Sequence, residues 1–221
     1  IEVAMEVAAL SHPELNNAEA AKKSKGFKNA DDPVEAANLV MRIALAATSQ
    51  NLNVDQNAQY ADEQFEAFKK NGKFDAVRAK EYGGKGKAIS GNMDLANKLI
   101  KKAGFEEAEN FIRQSVTVRE LEALVKKKLG VTKTIAGKKD DLVNGAAIFG
   151  PKIGQGFLQN LMAVFDPVTI DLWLRRTWGR WTGNVMGVAF NDERTAGLIK
   201  SVRLSSDPKI MLPEGDWRRV R

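Results

Sequence analysis

Apolar residues recur along most of this chain at the three-and-four spacing of a helix face. In DDPVEAANLVMRIALAATSQ, residues 31–50, Val34, Ala37, Val40, Met41, Ala44 and Leu45 fall on one side. Asp31 or Asp32 stands where a cap belongs, and Pro33 takes the first helical position, where its missing N–H is no loss. VDQNAQYADEQFEAFKKNG, residues 54–72, predicts a second helix, with Asp55 as cap, Tyr60, Phe65 and Phe68 inward and Gly72 at the stop. SGNMDLANKLIKKAG, residues 90–104, follows and closes on Gly104, and a short segment from Phe105 to Arg113 comes after it. TVRELEALVKKKLG, residues 117–130, has Thr117 and Glu120 in capping-box spacing and Gly130 as its C-terminal stop. Strand-like alternation is scarce, and only Val185 to Phe190 and the last fifteen residues leave room for short strands or irregular chain.

The pattern therefore predicts an all-α fold of short helices, with residues 1–30 as a loosely attached arm and residues 31–221 as the folded domain. YGGKGKAISGN, residues 82–92, is the richest stretch in glycine, yet it fits neither phosphate-loop pattern and no strand precedes it. It reads as a flexible basic loop.

Composition narrows the chemistry. At 221 residues and 43% hydrophobic content the chain has enough for one sizeable core, or two small lobes around a cleft. It has no cysteine, which removes disulfides and thiolate metal sites and fits a reducing, cytoplasmic setting. His12 is the only histidine, so a Ser/His/Asp triad or a two-histidine metal centre lacks its parts, and acid–base work falls to Asp, Glu, Lys or Tyr. We expect neither metal nor cofactor. The formal charge of +6 suits a polyanionic partner without requiring one. No run of apolar residues is long enough for a membrane span, and Glu2 and Glu6 interrupt the opening IEVAMEVAAL. The first residue, Ile1, points to a processed chain or a piece of a longer polypeptide or assembly.

The stretch IFGPKIG, residues 148–154, raises a separate question. LVNGAAIFG reads as a short apolar helix, Gly150 and Pro151 turn the chain, and KIGQGFLQNLMAVF resumes as a second helix with Ile153, Phe157, Leu158, Leu161 and Val164 inward. Lys152 thus lies at a helix N-terminus, where the helix dipole disfavours a cation. A phosphate seated on the N–H groups of that turn would remove the conflict. Nineteen residues on, in DPVTIDLWLRRTWGR, Asp171 opens another helix.

In these residues the chain resembles the helix-hairpin-helix DNA glycosylases, in their lysine-bearing branch that includes the 8-oxoguanine glycosylases. The branch's hairpin turn is matched by Gly150, Lys152, Ile153 and Gly154, and its apolar-x-Asp by Val168, Ile170 and Asp171. Ser49, Gln50 and Asn51 look like the family's turn that enters the duplex to fill the gap left by an extruded base. The likeness covers residues 31–181 and is strongest over 148–180. It departs from the family at Ile148, where a glycine is usual, and at Trp173, where histidine is common.

The resemblance implies two helical lobes around a cleft, double-stranded DNA as partner, base flipping, and glycosylase with AP lyase activity, with Lys152 as nucleophile and Asp171 as carboxylate. A helix N-terminus and partial burial would both favour the neutral, nucleophilic amine. Taken singly, Lys152 also reads as a phosphate contact or a surface lysine behind a turn, and Asp171 as a helix cap paired with Arg175. Arg175 and Arg176 lie where phosphates could be met, Trp178 and Trp181 read as core, and Trp173 is the candidate to stack on a flipped base. The competing class is a non-catalytic helix-hairpin-helix module that binds DNA or serves as a structural component.

Overall fold

In the computed structural model, the residues described are 8–50 and 52–164. The chain divides into two compact units, Ile1–Thr169 and Ile170–Arg221, and the described residues all belong to the first. That unit is mostly helical. The helices are α1 (Ala18–Lys23), α2 (Pro33–Thr48), α3 (Val54–Asn71), α4 (Ala76–Ala79), α5 (Gly86–Ala103), α6 (Phe105–Arg113) and α7 (Val118–Leu129). A 3-10 segment Gly145–Phe149, a π-helical segment Pro151–Leu158 and the single turn α8 (Gln159–Leu161) follow, with shorter 3-10 turns at Pro13–Leu15 and Gly83–Lys85.

Helix α2 is the axis. Ala36, Ala37, Leu39, Val40, Met41, Ile43, Ala44, Ala46 and Ala47 are all buried, so it is apolar nearly all round rather than on one stripe. Five of these are alanines, whose small side chains let neighbours approach closely, and α1, α3, α5, α6 and the π-helical segment all pack on it.

Capping follows local sequence in most places. The Asp32 carboxylate accepts from the Val34 and Glu35 N–H groups, the Thr117–Glu120 capping box is formed, and Gly72 and Gly130 take left-handed C-caps at φ 70°. One expected cap is displaced: Asn53, not Asp55, caps α3, its side chain accepting from the Gln56 N–H at 2.8 Å.

Three further expectations are corrected. Over residues 8–30 the arm is not loose. Leu15, Ala21 and Phe27 are buried, the Gly26 N–H donates to the Lys69 carbonyl at 3.0 Å, and Phe27 packs against Phe65, Phe68 and Phe105. Those apolar residues lie six apart, a spacing that does not keep to one helix face, which hid their role.

The glycine-rich stretch 82–92 is not a flexible loop either, since α5 begins at Gly86. A β-carbon there would fall 2.1 Å from the Lys80 carbonyl oxygen, so this glycine allows close packing.

Strands occur where none was expected. Residues Ser115–Thr117 (β1) pair antiparallel with Leu142–Asn144 (β2), Val116 opposite Val143, so the chain before the 3-10 segment is extended, not helical. Three residues per strand are too few for alternation to register. Val185 to Phe190 and the last fifteen residues, which left room for short strands or irregular chain, lie outside the described residues.

Candidate functional site

The hairpin is built on close backbone contacts. Gly145 lies so near α6 that a β-carbon would fall 1.7 Å from the Phe111 carbonyl oxygen, and its N–H donates to the Gln114 carbonyl at 2.9 Å. The 3-10 segment is buried throughout, including Ile148, which fills the core where the resembled family carries glycine. Gly150 turns the chain at φ 102° and ψ 161°, a conformation open essentially to glycine alone. The π-helical segment then folds back over its predecessor, bringing Gly154 so close that a β-carbon would meet the Ala146 carbonyl oxygen at 1.7 Å. Side chains from both directions hold the far side: the Arg113 guanidinium donates to the Met162 carbonyl, while the Gln159 amide donates to that of Ile112.

At the mouth of this turn the first intrahelical bond runs from the Gly154 N–H to the Gly150 carbonyl at 2.8 Å. Gly154's N–H is therefore spent inside the turn. Those of Lys152 and Ile153 precede that bond and are the donors such a start leaves over. Ile153 buries its side chain, so what it offers is backbone only. Lys152 is exposed and has no carboxylate in ion-pair reach among the described residues. The partial burial expected for it is absent, because the helix turns its apolar residues Ile153, Leu158 and Leu161 inward and leaves position 152 at the rim.

Ser49 and Gln50 do stand at the end of α2, half-buried, but their side chains fold back on that helix. The Ser49 hydroxyl donates to the Ala46 carbonyl at 2.8 Å and the Gln50 amide to that of Ala47 at 3.1 Å. Both close the helix C-terminus. Asn51, Asp171, Trp173, Arg175 and Arg176, together with Trp178 and Trp181, lie outside the described residues.

Other features were missed from sequence. His12, the one histidine, is buried with Nε2 2.5 Å from Asp62 and Nδ1 3.5 Å from Glu66, its ring edge-on to Phe65. Beside it the Lys69 ammonium bridges Glu14 at 3.0 Å and Glu66 at 2.7 Å. Burial pushes the Glu14 carboxyl up, but its own backbone N–H, Lys69 and Ser24 outweigh that and hold it below the ordinary range.

Lys133, half-buried in the loop before β2, has its amine pushed down by burial. A cleft of about 370 Å³ opens beside Gly104, with Ala30, Ala36, Leu39 and Phe105 among its apolar lining and Asp31, Asp32, Glu35, Glu106 and Glu109 as acids. That surface would repel a phosphate backbone.

Among the described residues there is no cluster of three or more side chains suited to a metal ion, and no helix long and apolar enough to cross a membrane. Comparison with protein-family models, with curated proteins and with solved structures finds no match to this chain.

Proposed function

We propose that the chain is a DNA glycosylase with AP lyase activity, of the helix-hairpin-helix kind, acting on a flipped, modified base. The observation that carries this reading is the turn at Gly150: two helical segments packed backbone to backbone, with left-over N–H groups and an exposed amine at one mouth. The N–H groups of Lys152 and Ile153 suit a phosphate oxygen, and the Lys152 amine beside them suits attack on the neighbouring sugar.

In the proposed reaction the neutral Lys152 amine bonds to C1′ as the glycosidic C1′–N bond breaks, the bonding pair leaving with the base, which takes up a proton. The resemblance gives Asp171 the task of offsetting the positive charge that builds on the sugar. Loss of the ring C–O bond, with proton transfer to that oxygen, leaves a Schiff base at C1′. Removal of a C2′ proton then expels the 3′ phosphate.

The exposure of Lys152 favours a second reading, in which it is a phosphate contact of a module that binds DNA without cutting it. Borohydride trapping separates the two, since hydride fixes the C=N bond as a stable amine. On duplexes carrying abasic sites or modified bases, the native chain and the Lys133→Gln variant should give a covalent adduct and Lys152→Gln should give none. Duplex binding without any adduct from the native chain establishes the non-catalytic reading instead.

A further inference from the structure

Two lysine-tipped helix ends lie side by side. α5 carries Lys101 and Lys102 in its last turn, α7 carries Lys126, Lys127 and Lys128 in its own, and all five are exposed. The Lys102 ammonium lies 3.7 Å from where a β-carbon would stand at Gly130, the C-cap of α7, so the two ends meet. None of the five has a carboxylate within ion-pair reach among the described residues, whereas Lys69 and Lys139 are each paired.

A lysine in a helix's last turn complements the dipole, and that accounts for one at each end. It does not account for five, because each added ammonium repels those already there. Of the acidic side chains nearest in sequence, Glu106 lines the cleft beside Gly104 and Glu122 pairs with Lys139. The lysine-bearing end also reaches the hairpin's support. Lys128 sits 6.0 Å over the Phe111 ring, and Phe111's carbonyl is the group against which Gly145 packs.

We propose that the joined ends of α5 and α7 form a second phosphate-binding surface, which holds duplex DNA by its backbone, without regard to sequence, while the Gly150 turn engages the lesion strand. This rests on the glycosylase reading of the Gly150 turn. A polyanion supplies what the five ammonium groups lack, and its binding releases condensed counterions in proportion to the phosphates neutralised.

The test is the salt dependence of binding to a short, lesion-free duplex, followed by fluorescence anisotropy. Glutamine at Lys126, Lys127 and Lys128 preserves helix propensity, and circular dichroism checks that the fold is kept. This triple variant should flatten the slope of log K against log salt by about 2 to 3 and, between about 50 and 200 mM salt, weaken binding by tenfold or more. Lys101→Gln with Lys102→Gln should flatten it by about 1 to 2. Lys22→Gln with Lys23→Gln, a lysine pair at the end of α1, should leave it unchanged.

Equal loss in all three variants would mean a general charge effect and overturn the proposal, as would an unchanged slope in the first two. If the native chain fails to bind duplex DNA even at low salt, the glycosylase reading falls with it. If it binds and forms the Lys152-dependent adduct while the patch variants keep the native slope, this inference alone falls.

Discussion

The segment over residues 8–30 and the Gly150 hairpin both press irregular chain against regular helices, but they handle charge in opposite ways. The first carries charge inward: Glu14 and Lys69 meet Glu66 in a partly buried network, with the His12 ring hydrogen-bonded to Asp62 beside it. The second carries none inward. It closes by backbone contact at Gly145 and Gly154 and leaves its one cation, Lys152, at the rim. Paired charge under cover serves the fold, and an unpaired charge at a turn is available to a ligand.

The contrast breaks first at Phe27. If residues 8–30 are clasped by the aromatic cluster, Phe27→Ala removes a fully buried ring from its contacts with Phe65, Phe68 and Phe105, at about 4 kcal/mol. A loosely held segment would cost under about 0.5 kcal/mol, and the denaturant midpoint with an unchanged m-value decides between them.

On the hairpin side, Gly154→Ala forces a methyl onto the Ala146 carbonyl and should cost about 3 kcal/mol. Gly150→Ala meets no atom within 4 Å and carries only the strain of φ 102°, about 1 to 2 kcal/mol. Were Gly150→Ala the worse of the two, backbone contact would not be what closes the turn.

What the sequence revealed was short-range. Caps at Asp32 and at Thr117 with Glu120, and stops at Gly72, Gly104 and Gly130, depend on residues within one turn of each other, and the pattern along the chain contains them. So does the turn at Gly150. What it concealed depends on which segment passes by. His12 finds Asp62 fifty positions away, and Gly86 looked like loop punctuation because nothing local says that the Lys80 carbonyl will lie against it. The adjacency of the α5 and α7 lysines was hidden too, since it exists only once Gly130 is folded beside Lys102. The burial of Lys152 was misjudged for a related reason, because sequence places a residue at a helix start but not on its inner or outer side.

The charged network gives a smaller effect with a pH signature. Lys69→Met leaves Glu14 buried without its cation, and with Lys69 about a quarter exposed the loss should be about 2 kcal/mol near neutral pH. Glu14's folded-state carboxyl sits below the ordinary 4.5, so its contribution is complete above that value and fades as pH falls through the lower, folded-state one. Lys69 is the mirror case. Burial lowers its amine, but Glu66 and Glu14 raise it further, so its contribution holds below the ordinary 10.5 and fades as pH rises through the folded-state value. The native and Lys69→Met unfolding curves should therefore converge in acid and again in strong alkali. A gap that stays constant with pH would mean that the Lys69 stem, and not its charge, supports the clasp.

The smallest expected effect is the most useful for the comparison. Lys152→Gln removes an exposed cation with no ion-pair partner among the described residues and should change stability by less than about 0.5 kcal/mol, and relief at the helix start could make the sign favourable. Thermal unfolding of native and variant side by side measures it. A near-zero result means that the variant in the trapping experiment is as folded as the native chain, so a lost adduct reports on the amine alone. A loss above about 1 kcal/mol would place Lys152 with Lys69, as a charge the fold uses, and would remove the distinction between the two regions.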